Sequence, residues 1–256
     1  MDALCQSMAG RPFSPVEITA WDGTHLAGKW YDAGDGPICI LFHGYRGSGV
    51  RDFCGIHGIF HDMGISTLVV DQRAHGMSGG CTMTFGIKER LDCRDWVHFV
   101  QDRFGEARKI YLCGVSMGAS TVLMASDLQL PANVVGIIAD CPFSSPGKII
   151  RKVISDMFFP AWLLYPFALT GALLFGHFCL WSKSALQSVS HTTIPILLIH
   201  GSEDQYVPPE MSSEIFDRCA GNRYLEIFPG AGHGGSSVTD PVRYQKILAS
   251  FMDACQ

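Results

Sequence analysis

The stretch KIYLCGVSMG, Lys109–Gly118, decides how this chain is read. KIYLC is a short apolar run bounded by glycine, the pattern of a buried strand, and the residues from Met117 onward predict a helix. Between them stands Gly114-Val115-Ser116-Met117-Gly118, a G-x-S-x-G placed where a strand turns sharply into a helix. A serine there sits on a tight, strained turn, and glycines two residues to either side relieve the crowding. The turn lifts the Ser116 hydroxyl above the carboxyl edge of a sheet and starts a helix just behind it. The N–H of Met117 is then left to donate to an oxyanion forming at a substrate carbonyl.

Outward from this stretch, apolar runs alternate with helical ones. Ile38–Phe42, Ser66–Val70, Val134–Ala139, Pro195–Ile199 and Tyr224–Phe228 read as strands. Segments near Asp52–Met63, Lys88–Phe104, Met211–Cys219 and Pro241–Cys255 read as helices. That alternation predicts an α/β fold, a mostly parallel central sheet with helices on both faces. Val16–Ala20 and His25–Tyr31 flank the turn pair Asp22-Gly23 and predict a hairpin before it. A chain of 256 residues holds one such domain and buries a core without metal or disulfide staples. Residues 1–141 and 191–256 form the expected core, and 142–190 an inserted helical cap.

Composition narrows the function. A net charge of −5 with no clustered lysines and arginines gives no footprint for nucleic acid. The ten cysteines are scattered, with no C-x-x-C pair, so they read as free thiols. The first residues, MDALCQSMAG, lack a charged region followed by an apolar run. Both features point to a reducing cytoplasm.

A serine hydroxyl needs a base within hydrogen-bond reach. His233, in Pro229-Gly230-Ala231-Gly232-His233-Gly234, follows the last strand and is the candidate; the other histidines fall on the hairpin, on helices, in the cap or beside strands. The acid that orients the imidazole is expected after the strand PILLI, at Asp204 in Gly201-Ser202-Glu203-Asp204. Asp140, ending VVGIIAD, is its rival, with Glu203 a further alternative. After ICILF comes His43-Gly44-Tyr45-Arg46-Gly47, whose Tyr45 N–H is the expected second oxyanion donor, with His43 bracing the loop.

Taken together, HGYRG, Asp71-Gln72-Arg73-Ala74-His75-Gly76-Met77-Ser78, GVSMG, Asp140-Cys141-Pro142-Phe143, HGSEDQYVP and GAGHG resemble bacterial α/β hydrolases of the esterase/lipase type. The resemblance runs from about Val16 to the C-terminus, apart from the cap. It implies the α/β-hydrolase fold, the chain order Ser116, Asp204, His233 for the catalytic residues, and loop-bracing roles for Asp71, Arg73 and His75. It also implies a serine hydrolase that needs no metal or organic cofactor. A serine at the elbow disfavours the dehalogenase and epoxide-hydrolase branches, which carry aspartate there. Carboxylic ester cleavage, by a carboxylesterase or a monoacylglycerol-type lipase, is the default, because an alkoxide leaves more readily than an amine. Peptidase, thioesterase, carbon–carbon bond hydrolase and acyltransferase chemistry remain open on the same residues. A non-catalytic ligand-binding role is disfavoured by the intact set.

The cap carries MFFPAWLLYPFALTGALLFGHFCLW, Met157–Trp181, with no formal charge. Its length passes a membrane-span test. Pro160 and Pro166 interrupt it, Gly171 and Gly176 weaken it, and it falls between two strands of one sheet. The expected role is to cover a small-molecule ester, with Phe158, Trp162 and Phe167 against its apolar acyl or aryl group. Contact with a membrane surface is the less favoured reading.

Overall fold

A computed structural model describes residues 2–255. A short helix α1 (Asp2–Ala9), not anticipated above, precedes the hairpin β1 (Ser14–Thr19) and β2 (His25–Tyr31). The hairpin turns at Gly23, whose N–H donates to Ala20 O over 2.9 Å. The chain continues through β3 (Ile38–Phe42), α2 (Gly49–Phe53), α3 (His57–Asp62), β4 (Ser66–Val70) and α4 (Glu89–Phe104). It then enters β5 (Ile110–Val115), α5 (Met117–Ala125) and β6 (Val134–Asp140). The helices α6 (Pro146–Asp156), α7 (Ala161–Leu174) and α8 (Ala185–Val189) separate β6 from β7 (Ile196–Gly201). The chain closes with α9 (Glu210–Arg218), β8 (Arg223–Phe228), α10 (Ser236–Thr239) and α11 (Pro241–Ala254). Where one helix was expected near 52–63 there are two, because Gly55 interrupts it. A Cβ at Gly55 would come within 2.6 Å of Ser237 Oγ, so the chain is held against α10 there.

The eight strands form one sheet in the order β1-β2-β4-β3-β5-β6-β7-β8. β1 and β2 pair antiparallel, as do β2 and β4, and the remaining pairs are parallel. This is the α/β-hydrolase fold. Side chains alternate between two apolar layers, as the two-residue period of a strand dictates. Ile38, Ile40 and Phe42 face Trp96 and Val97 of α4 and Val122 and Leu123 of α5. Cys39 and Leu41 face Phe53 and Phe60 on one side of the chain's switch, and Tyr111 and Cys113 face the α11 residues Tyr244 and Leu248.

Register places the functional edge. Phe42 pairs with Gly114, Val115 with Asp140, Asp140 with Ile199, and Gly201 with Phe228. The carboxyl ends of β3, β5, β6, β7 and β8 therefore lie in one row. The chain leaves β3 toward β4 on one side and returns through β5 on the other, the kind of switch point where open α/β sheets form a crevice.

Candidate active site

Ser116 stands between β5 and α5 at φ 57° and ψ −115°, a left-handed conformation that costs a non-glycine residue. Its N–H donates to Asp140 O over 2.8 Å, tying the turn to β6. The two glycines have steric reasons. A Cβ on Gly114 would overlap the backbone of Gly118, and one on Gly118 would overlap Phe42 O on β3. Strand and helix thus touch backbone to backbone, and that contact forces the turn.

The structure brings Ser116, His233 and Asp204 together. His233 Nε2 lies 2.9 Å from Ser116 Oγ, and His233 Nδ1 lies 2.7 Å from Asp204 Oδ2. Asp204 Oδ1 accepts the N–H groups of Tyr206 and Val207, each at 2.9 Å. Burial opposes ionisation of Asp204, but hydrogen bonds from His200 and His233 outweigh it and hold the carboxyl well below the usual carboxylate range. An ionised Asp204 requires the proton of a neutral His233 on Nδ1, which leaves Nε2 to accept from the serine hydroxyl.

His200 was set aside as a base and touches the acid instead. Its Nε2 lies 3.2 Å from Asp204 Oδ2 and 2.9 Å from Val207 O, while Nδ1 meets Ser212 Oγ at 2.6 Å. The only signal in the sequence was its position four residues before Asp204 at a strand end. Asp140 does not bond to His233 in this structure: its carboxylate meets Tyr244 Oη at 3.2 Å and Ser236 Oγ at 3.5 Å.

Burial raises the Asp140 carboxyl to about 6. The folded protein then holds a proton on Asp140 that the unfolded chain, with its ordinary value of 3.8, has already lost between those two pH values. This contribution to stability is present below about 4 and is lost as pH rises through about 6. Asp140→Asn is therefore expected to gain about 1 kcal/mol on the wild type between pH 5 and pH 8. Urea unfolding of both proteins at the two pH values checks it; an unchanged difference contradicts it.

The backbone donors lie where the loops bring them. Among the described residues, no acceptor bonds the N–H of Tyr45 or of Met117. Asp52 Oδ2 accepts the N–H of Gly44 over 2.7 Å and holds the His43–Gly47 loop. His43 Nε2 accepts from Gln72 N at 3.1 Å and Nδ1 meets Gly44 O at 2.8 Å. Burial pushes the His43 imidazole down, so it stays neutral and braces the loop. His75 Nε2 accepts from Arg46 N at 3.1 Å, and Arg73 grips Asp92 with Nε and Nη2 at 2.6 and 2.5 Å. Asp71 Oδ2 accepts Met77 N–H at 2.9 Å. Asp71, Arg73 and His75 thus stiffen the loops beside the site.

Two cavities meet at this edge. A cleft of about 400 Å³ is lined by Gly44, Tyr45, Ser116, Tyr206 and His233, among others. An apolar cavity of about 380 Å³ lies beneath α6 and α7, lined by Phe85, Ile149, Val153, Ala168 and Ala172. Tyr45 and Tyr206 line both, and form the wall between them. Tyr206, whose ring centre is 5.1 Å from that of His233, carried no signal in the sequence beyond its place near Asp204.

Phe158, Trp162 and Phe167, expected against the substrate, line neither cavity and are 98%, 80% and 70% exposed. This corrects the expectation. α7 is apolar all round, so composition does not say which side faces inward, and the side that does presents Ala168 and Ala172.

One group of side chains, Cys141, Asp204 and His233, brings possible metal-ligand atoms within 4.8 Å of one another. It fits a cation poorly: burial raises the Cys141 thiol well above its ordinary value, and Asp204 and His233 are bonded to each other.

Comparison with known proteins agrees with this fold. A family model described as the alpha/beta hydrolase family matches residues 39–244. The chain is 27% identical over 215 residues to the uncharacterized protein YqkD of Bacillus subtilis, covering 84% of this chain and 70% of that one. To the uncharacterized membrane protein YNL320W of Saccharomyces cerevisiae it is 28% identical over 195 residues, covering 75% of this chain and 62% of that protein. The solved esterase Pf2001 of Pyrococcus furiosus superposes with a TM-score of 0.78 at 26% identity, over 97% of this chain and 93% of that one.

Proposed function

Since the chain belongs to the alpha/beta hydrolase family, we propose that it is a serine hydrolase of carboxylic esters, with Ser116 as nucleophile, His233 as base and Asp204 as the orienting acid. The observation that supports this most is the run of hydrogen bonds from Ser116 Oγ to His233 Nε2 and from His233 Nδ1 to Asp204 Oδ2, at 2.9 and 2.7 Å. Ser116 Oγ attacks the ester carbonyl carbon while His233 Nε2 takes its proton. The N–H groups of Tyr45 and Met117 stabilise the oxyanion. The tetrahedral intermediate collapses, His233 returns the proton to the leaving alkoxide, and the alcohol departs. Water then attacks the acyl-enzyme, gives its proton to His233, and the carboxylic acid and Ser116 hydroxyl are regenerated.

The apolar cavity takes the acyl or aryl group, which reaches it past Tyr45 and Tyr206, and residues 142–190 act as the cap above it. An apolar lining with few polar groups selects an uncharged hydrophobic chain. The similarity to a solved esterase favours an ester over the other bonds this chemistry cleaves. Among the described residues no two cysteines are joined by a disulfide, which suits a cytoplasmic setting.

A series of p-nitrophenyl esters from acetyl to palmitoyl, run with the wild type and Ala168→Phe, tests this reading. The wild type is expected to favour medium chains. The phenylalanine, projecting into the cavity from α7, is expected to move the optimum to shorter chains and cut kcat/KM for the medium ester by about tenfold or more. An unchanged profile would place the acyl group elsewhere, and no turnover of any ester would overturn the ester reading.

A further inference from the structure

A helix that is apolar on every side is satisfied in a water-soluble fold only when both sides are covered. α7 is covered on one side alone. Ala168 and Ala172 close the apolar cavity, and Tyr165 packs beneath Arg151. Its other side presents Trp162, Leu163, Phe167, Leu173 and Leu174 to solvent, beside the exposed Phe158, Phe159, Phe175 and Trp181. No aspartate, glutamate, lysine or arginine interrupts this surface between Met157 and Trp181. A contiguous apolar surface of this kind marks an interaction site.

We propose that this surface docks on an anionic lipid bilayer, with α7 lying in the plane of the interface. Charge at its edges favours that occupant. The Arg151 guanidinium lies 4.0 Å from the Tyr165 ring centre, and Lys88 Nζ meets Gly176 O at 3.4 Å. Among the described residues neither cation is paired with a carboxylate, whereas Lys148, Lys152 and Lys183 pair with Glu214, Asp156 and Asp127. The apolar surface is therefore flanked by uncompensated positive charge, which anionic headgroups complement. A second copy of the chain fits less well, because its own surface carries no aspartate or glutamate between Met157 and Trp181 to meet these cations. Tryptophan and phenylalanine rings suit the boundary between headgroups and acyl chains.

Docking is in-plane rather than spanning. With 14 residues, α7 is about 21 Å long, short of the ~30 Å hydrocarbon core. Among the described residues no helix is long and apolar enough to cross a membrane. The same helix walls the apolar cavity beside the Ser116 cleft, so a docked molecule would hold that cavity close to a source of acyl chains. The docking itself rests on the outer surface and not on the ester reading.

Co-sedimentation with phosphatidylcholine vesicles, with and without phosphatidylglycerol, tests the proposal on the full chain, on Ser116→Ala, and on the triple variant Leu174→Gln, Phe175→Gln, Trp181→Gln. Thermal melts show that the variants remain folded. The wild type and Ser116→Ala are expected to bind the anionic vesicles equally. Binding should weaken as salt screens the charge and fall by roughly tenfold or more in the triple variant. Vesicles of phosphatidylcholine alone are expected to bind less, by roughly fivefold for each headgroup-facing cation. A wild type that stays in the supernatant with anionic vesicles, or a triple variant that binds as well, overturns the proposal. So does a concentration-dependent dimer, seen by sedimentation velocity, that the triple variant abolishes. Because binding is read on Ser116→Ala as well, failure of the ester reading leaves this result standing, and the reverse holds.

Discussion

Replacing Ser116 with alanine is expected to lower ester turnover by about a thousandfold or more while leaving the fold in place. The side chain is buried, and among the described residues its hydroxyl has one bonded partner, His233 Nε2. Alanine removes the oxygen that forms the acyl-enzyme and leaves the cleft, the backbone donors and the apolar cavity as they were. It bears the same left-handed backbone as serine, so the strain of the turn carries over and little stability changes. Because nucleophile and base act as a unit, Ser116→Ala combined with His233→Ala is expected to lose little more than either alone. Substrate affinity should change far less than turnover. Steady-state kinetics on the best ester of the chain-length series checks this; turnover within tenfold of wild type in the single variant contradicts it.

Gly118→Ala is expected to produce the largest loss of stability of any methyl-sized change near the site. On helix propensity alone, glycine to alanine inside α5 would stabilise by about 1 kcal/mol. Sterics reverse the sign, because the new Cβ would overlap Phe42 O, backbone that cannot rotate away. α5 must then move off β3, at the point where the sheet aims Ser116. A cost of about 3 kcal/mol, at the upper end of overpacking, corresponds to roughly 6–12 °C in Tm for a chain of this size. Activity should fall with it, since the Met117 N–H and Ser116 Oγ both ride on the start of α5. Gly171→Ala in α7 is the matched control: nothing lies within 4 Å of its added Cβ, so no comparable loss is expected. Thermal melts of the two variants test the contrast, and equal midpoints would contradict it.

The strand–turn–helix around Ser116 was legible because its signature in the sequence is local. Gly114 is demanded by the backbone of Gly118 and Gly118 by Phe42 O on β3, contacts that any chain folded this way must make. The row of loops carrying Tyr45, Asp204 and His233 was legible for a related reason. In a parallel sheet the strand order in sequence fixes which loops share an edge, and apolar runs with glycine breaks mark the strands. Asp140 ends β6 and Asp204 follows the end of β7, and the difference between them is tertiary: Asp140 is turned into the layer against Tyr244 and Ser236. The contact of His200 with Asp204 likewise depends on a rotamer set by Ser212 and Val207 O.

The orientation of α7 was not legible. Period 3.6 marks an inner face only when the outer face is polar, and here it is not. Alanines at 168 and 172 are small enough to leave a cavity, a signal masked by the larger aromatic residues around them. The break between α2 and α3 was missed because Gly55 is required by Ser237, which lies far along the chain. α1 was missed because its eight residues carry only one that is buried, Met8, and too short a pattern to read.

The most direct test of the account is reaction with a fluorophosphonate, followed by peptide mapping by mass spectrometry. Phosphorus accepts an activated serine oxygen as an ester carbonyl does, fluoride leaves, and the adduct persists. The account predicts a single phosphonyl group on Ser116, absent from Ser116→Ala and lost with His233→Ala. An unlabelled wild-type chain, or a label on another residue while Ser116→Ala still turns over esters, would contradict it.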